Sequence, residues 1–266
     1  MLRLKGFIDG YVKASFHVAL MVVCFFEMTL HQWEISTSVE ANIFIFCLAF
    51  LGYNGIKYYP FSGYIEAAAL LLPSGVIALL YAFYYVFSLS STALLLLFFC
   101  GLLCIAYAVP LPTSRRNLRS RFGVKIFIVA LCWTMVTALF PLMDLAHWTS
   151  AHYFFFAERF VLVFVATLPF EIRDSAQDQI DLGTIPQLIG LKRTRLLGAV
   201  LLVLVFGIKL FVLAHQENEI VAFGILGLAY LLALFKVSPG QSENITLFWV
   251  EFIPVLGWLY FYLNSI

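Results

Sequence analysis

The chain has 266 residues, of which 63% are hydrophobic and 12% charged, with a net charge of +1 and a mean hydropathy of +0.97. A soluble domain carries about 45–50% apolar and about 25% charged residues, so this balance excludes a water-soluble globular fold. A net charge of +1 gives no basis for a nucleic-acid partner, and membrane lipids are the expected surroundings.

A membrane-spanning helix needs about 20 apolar residues. Nine such helices are predicted, at about 15–33, 39–56, 64–87, 91–109, 123–143, 151–170, 195–214, 219–236 and 245–263. Arg3, Lys5 and Lys13 precede the first run and no small-residue cleavage site follows it, so that run is kept as a helix. The connections are short, which predicts antiparallel neighbours in one all-α membrane bundle, a single domain over residues 1–266.

Positive charge sets the expected orientation. Arg3, Lys5, Lys13, Lys57, Arg115, Arg116, Arg119, Arg121, Lys125, Arg173, Lys192, Arg193, Arg195 and Lys236 all fall at one side, fourteen of the sixteen basic residues. Arg159 and Lys209 sit within helices. The N-terminus is therefore expected in the cytoplasm and the C-terminus outside. Two four-helix units, each with a polar connection after its second helix, suggest a parallel internal repeat plus a ninth helix.

Three connections on the basic side carry candidate chemistry. The first, Tyr53 to Gly63, holds Asn54 and Lys57. Lys57 reads either as a phosphate-neutralising point charge or as an ordinary basic residue on the cytoplasmic side. Glu66 would share a face with Asn54 only if the helix were continuous, and Gly55, Pro60 and Gly63 argue against that. The second connection holds Arg115, Arg116, Arg119 and Arg121, whose guanidinium forks suit phosphate oxygens and equally suit anionic headgroups.

The third connection, residues 171 to 181, carries Glu171, Asp174, Asp178 and Asp181. On a helix Glu171, Asp174 and Asp178 are at i, i+3 and i+7 and share one face. Carboxylates so grouped suit Mg²⁺, which takes one or two of them together with substrate phosphates. A solvated acidic cap at a helix end fits the same spacing.

Elsewhere, Cys24, Cys47, Cys100, Cys104 and Cys132 lie in apolar runs and read as small core residues. Glu27, Asp144, Glu158, Arg159, Lys209 and Glu251 are intramembrane and should face the bundle interior. Glu158 and Arg159 are adjacent, so each should pair with another helix or reach the interface. The histidines show no metal-like spacing, and His147 and His152 are expected at the interface.

The acidic stretch, followed by Gly183-Thr-Ile-Pro-Gln-Leu-Ile-Gly190, resembles the second aspartate-rich motif of the UbiA-type intramembrane prenyltransferases, with Glu171 where the first aspartate usually stands. The resemblance extends to the nine-helix plan and to Tyr107-Ala-Val-Pro110 with the arginines after it. It implies a Mg²⁺-dependent enzyme that binds an isoprenyl diphosphate at the cytoplasmic face of a bacterial inner membrane or its equivalent. Metal would be held by Asp174 and Asp178 with Glu171 in support, and diphosphate by Asn54, Lys57, Tyr107, Arg115 and Arg116. The chain departs from the family in the first connection. Gly55, Tyr58 and Ser62 stand where the family has three aspartates, so one metal site is expected rather than two. Gly183 also replaces a basic residue that often precedes Thr184. A non-catalytic member that binds a prenyl lipid or phospholipid as a scaffold is the other reading of these departures.

Overall fold

The computed structural model describes residues 11, 13–36, 38–59, 64–110, 117–118, 123–176, 183–212, 217–241 and 243–264, with the backbone alone at 64–70, 212 and 243–248. Every described element is helical. They are α1 (Phe16–Gln32), α2 (Val39–Lys57), α3 (Tyr64–Val86), α4 (Ser91–Ala108), α5 (Val124–Thr134), α6 (Ser150–Asp174), α7 (Ile185–Ile189), α8 (Leu191–Val212), α9 (Glu217–Lys236) and α10 (Glu243–Asn264). A π turn (Met135–Leu139) and a 3-10 turn (Phe140–Leu142) prolong α5. Each of the nine predicted segments coincides with one long helix. Among the described residues, six helical stretches are long and apolar enough to cross a membrane, as in a multi-pass integral membrane protein: Val39–Lys57, Ser91–Ala108, Val124–Leu142, Ser150–Asp174, Leu191–Phe211 and Glu217–Lys236.

Local sequence explains where helices begin. Ser38 and Ser90 cap α2 and α4, accepting from the amides of Ala41 and Ala93 at 3.1 and 3.3 Å. Thr149 caps α6 in a box closed by a histidine, since the Thr149 amide donates to Nδ1 of His152 at 3.0 Å. His152 is buried and stacks on Trp33 at 4.0 Å. Thr184 and Gln187 make the same box at α7. Gly190, at φ 82°, separates α7 from α8 with a backbone conformation that side chains disfavour.

The helices close into a ring. α1 packs between α2 and α10; α2 also meets α3 and α4; then α4 meets α5, α5 meets α6, α6 meets α8, α8 meets α9 and α9 meets α10. α3 lies outside the ring against α2 and turns Val76, Ile77, Leu80 and Phe83 outward, each more than half exposed. Such apolar exposure would be costly in water and suits a hydrocarbon solvent. The π turn releases a backbone carbonyl toward α1, where the Thr29 hydroxyl donates to the Thr137 oxygen at 2.6 Å.

Asp144 lies exposed in the turn after Leu142, and not in the bundle interior as expected, whereas Glu158, Arg159 and Lys209 find partners on other helices, as their cost demands. Near one end of the ring, Lys209 of α8 donates to both carboxylate oxygens of Glu158 on α6 at 2.8 and 2.9 Å. Glu219 of α9 lies 3.8 Å from the same ammonium and accepts from Gln32 of α1 at 2.5 Å. Arg159 donates to the Phe25 carbonyl at 2.8 Å and lies over the Phe25 ring at 4.7 Å.

Candidate functional site: a central cavity with a charged end

The ring encloses a cavity of about 490 Å³, walled by α1, α2, α4, α5, α6, α9 and α10. Its apolar wall includes Val22, Phe25, Val129, Trp133, Val163 and Ala166. Its charged end gathers Lys57, Lys125, Glu171, Arg173 and Asp174, with Glu251 on the α10 wall. The cavity is therefore amphipathic: three cations and three carboxylates, on four helices, open onto an apolar interior.

Backbone contacts hold the charged end in place. The Gly123 amide donates to the Gly183 carbonyl at 3.1 Å, joining the start of α5 to the segment after the acidic stretch. The Gly240 amide donates to the Arg173 carbonyl at 2.9 Å, joining the turn after α9 to the end of α6. Gly123 adopts φ 67°, so a side chain there would be strained.

The sequence expected Glu171 and Asp174 to share a face, and α6 does carry both, one turn apart at its C-terminal end. Their carboxylates are each met by a cation. Lys125 Nζ lies 2.9 Å from Glu171 Oε1, and Arg173 Nε donates to Asp174 Oδ1 at 2.6 Å. Asp178, Asp181, Arg115 and Arg116 lie outside the described residues. Among the described residues no group of three His, Cys, Asp or Glu side chains is placed to hold a metal ion. The donor type of Glu171 and Asp174 suits Mg²⁺, while their described geometry commits both to side-chain cations.

Lys57 is exposed at the cavity end and donates to the Lys13 carbonyl at 3.1 Å and the Ser15 hydroxyl at 2.9 Å. Asn54 does not line the cavity. It is buried, and its amide nitrogen donates to the carbonyls of Ala14 and Phe50, both at 2.9 Å. Asn54 thus fastens α2 to the turn before α1. Tyr107 is buried on the cavity wall. Glu66 is on α3, which starts at Tyr64, whereas α2 ends at Lys57, so no continuous helix carries it alongside Asn54.

Arg173, Lys125, Glu251, Tyr53 and Tyr230 were not among the site residues expected from sequence. Arg173 is buried, and its Nη1 has no hydrogen-bond partner among the described residues. A buried guanidinium nitrogen without an acceptor is costly, and an anion in the cavity would satisfy it. The sequence did hold a signal, since Arg173 interrupts the acidic stretch and Glu251 is an intramembrane carboxylate.

A second cavity of about 340 Å³, almost wholly apolar, lies between α2, α4 and α5. Tyr53, Ile56, Tyr107, Val129 and Trp133 line both cavities, so one layer of side chains separates them. Cys100, Cys104 and Cys132 line the second, in keeping with cysteines as small core residues.

Comparisons with protein-family models, with curated proteins and with solved structures find no match.

Proposed function

We propose that this chain is a UbiA-type intramembrane prenyltransferase that takes an isoprenyl diphosphate as donor. The observation that carries the reading is the polarity of the central cavity. Its charged end offers Lys57, Lys125 and Arg173 to a diphosphate, and its apolar interior suits an isoprenyl chain. Arg115 and Arg116 would add charge from the neighbouring connection, and Tyr107 would flank the chain. In this reading Asp174 and Asp178, supported by Glu171, hold Mg²⁺, which supplies positive charge to the departing diphosphate. The lysines and Arg173 stabilise the same charge from the protein side. All nine long helices cross the membrane, with the N-terminus in the cytoplasm, the C-terminus outside and the charged end at the cytoplasmic face of a bacterial inner membrane or its equivalent.

The test is calorimetry of the purified full chain with farnesyl thiodiphosphate, an uncleavable donor analogue, with and without Mg²⁺. Binding should be strengthened by Mg²⁺, and Asp174→Asn should remove most of that gain while Asp181→Asn removes little. A chain that does not bind the analogue under either condition is not a prenyltransferase. The ion pairing of Glu171 and Asp174 favours a second reading, a non-catalytic prenyl-lipid or phospholipid binder. For such a binder the analogue would bind equally well with and without Mg²⁺.

A further inference from the structure

One wall of the central cavity carries a polar group that diphosphate binding leaves unused. Glu251, on α10, lines the cavity and is only 7% exposed. Its Oε2 lies 2.5 Å from Nε2 of His17 on α1, an ion-pair contact outside hydrogen-bond geometry, and His17 is just as buried. His17 does not itself line the cavity. The Tyr11 ring packs 5.6 Å from that of His17, and burial followed by the Glu251 carboxylate pushes the Tyr11 hydroxyl above its ordinary value.

Two tyrosines line the same cavity as this carboxylate. Tyr230, on α9, lines the same cavity, is fully buried, and its hydroxyl has no hydrogen-bond partner among the described residues. Tyr53, on α2, lines the cavity together with Arg173 and Asp174. An intramembrane carboxylate that serves only packing is closed off by its partner, as Glu158 is by Lys209. Glu251 instead lines the cavity, and its partner does not. That is the arrangement of an acid–base group whose second residue fixes its orientation.

We propose that Glu251 is the proton acceptor for a hydroxyl nucleophile that replaces the diphosphate, with His17 holding the carboxylate and Tyr230 donating to the nucleophile's oxygen. The proposal rests on the transferase reading. In the step, the carbon–oxygen bond between prenyl group and diphosphate breaks, and its electron pair leaves with the diphosphate. A lone pair of the nucleophile's oxygen forms the new bond to the allylic carbon, and the hydroxyl proton passes to a Glu251 carboxylate oxygen. Water is the simplest such nucleophile and gives the free prenyl alcohol. His17 is a positioning residue; Glu251 is the catalytic one.

The experiment uses the full chain in lipid nanodiscs with farnesyl diphosphate as donor, Mg²⁺ present and water as the only acceptor, and measures diphosphate release. Glu251→Gln should lower kcat by about 100-fold while KM changes less than about twofold, and Glu251→Asp should recover part of the loss. His17→Asn, which keeps a hydrogen-bonding group, should retain more of kcat than His17→Phe at equal KM. Equal kcat for wild type and Glu251→Gln overturns the proposal and leaves the transferase reading standing. A wild-type chain that releases no diphosphate also overturns the proposal, and analogue binding then decides the transferase reading by itself. Should Glu251→Gln fail to fold, Glu251→Asp takes its place: a fall in kcat at equal KM is expected, and a kcat equal to wild type overturns the proposal.

Discussion

Removing the Lys209 ammonium should destabilise the bundle more than any surface change. Lys209 is 1% exposed, and its charge is shared between Glu158, at 2.8 and 2.9 Å, and Glu219, at 3.8 Å. With an effective dielectric constant of about 20, each contact has a gross attraction of about 4–6 kcal/mol. Desolvation of three buried charges cancels much of that sum in the intact protein. Lys209→Met removes the attraction and leaves the desolvation, so two carboxylates remain buried without their cation. Breaking a buried pair in this way costs about 3–5 kcal/mol. For a chain of this size that is a fall of roughly 10 °C in melting midpoint. The assay is thermal unfolding in detergent with a thiol-reactive fluorescent dye, which reports exposure of the buried Cys24, Cys47 and Cys100. The triple change Lys209→Met, Glu158→Gln, Glu219→Gln should recover most of the loss, because it removes the charges and keeps an amide where Gln32 now donates to Glu219. A single Lys209→Met variant that melts within about 2 °C of wild type would refute the reasoning, as would a triple variant no better than the single one.

Gly257→Val should lower the melting midpoint in the same assay by an amount equivalent to about 1–3 kcal/mol, whereas Gly75→Ala should leave it unchanged. A Cβ at Gly257 would lie 3.0 Å from Met28 Cε and 3.0 Å from Leu226 Cδ2, while one at Gly75 meets nothing within 4 Å. Lys57→Ala should cost less than about 1 kcal/mol of stability, since its two hydrogen bonds are at an exposed position, yet weaken farnesyl thiodiphosphate binding about tenfold. Unchanged affinity would leave Lys57 as a topology signal alone. A reporter fused after Ile266 should score as non-cytoplasmic, and a cytoplasmic signal would rule out nine crossings with the N-terminus inside.

The helices were legible because a membrane leaves the chain few choices. Backbone groups without water must bond within a helix, so apolar length alone locates the elements, and every predicted segment is matched by a helix. The charged end was legible only in part, for a different reason. Helical periodicity states which side chains share a face of their own helix, and it says nothing about the helix across the gap. Glu171 and Asp174 do lie one turn apart on α6, as the i, i+3 spacing requires. The sequence could not show that Lys125 arrives from α5 to meet Glu171, because that pairing depends on how α5 and α6 pack. The same limit kept Glu251 apart from the site: the sequence marked it as an interior carboxylate, but that it lines the same cavity as Asp174 depends on how α10 packs. Asn54 shows the converse. Its position suggested a diphosphate ligand, and its amide nitrogen donates instead to the Ala14 and Phe50 carbonyls. Ala14 is in the turn before α1, where a buried carbonyl must find a donor, and Asn54 supplies it. Lys57, one turn further along α2, reaches the adjoining Lys13 carbonyl and Ser15 hydroxyl from the exposed side. The first connection therefore divides its work by depth: Asn54 secures the turn from within, and Lys57 keeps its charge at the cavity entrance, where a diphosphate could compete for it.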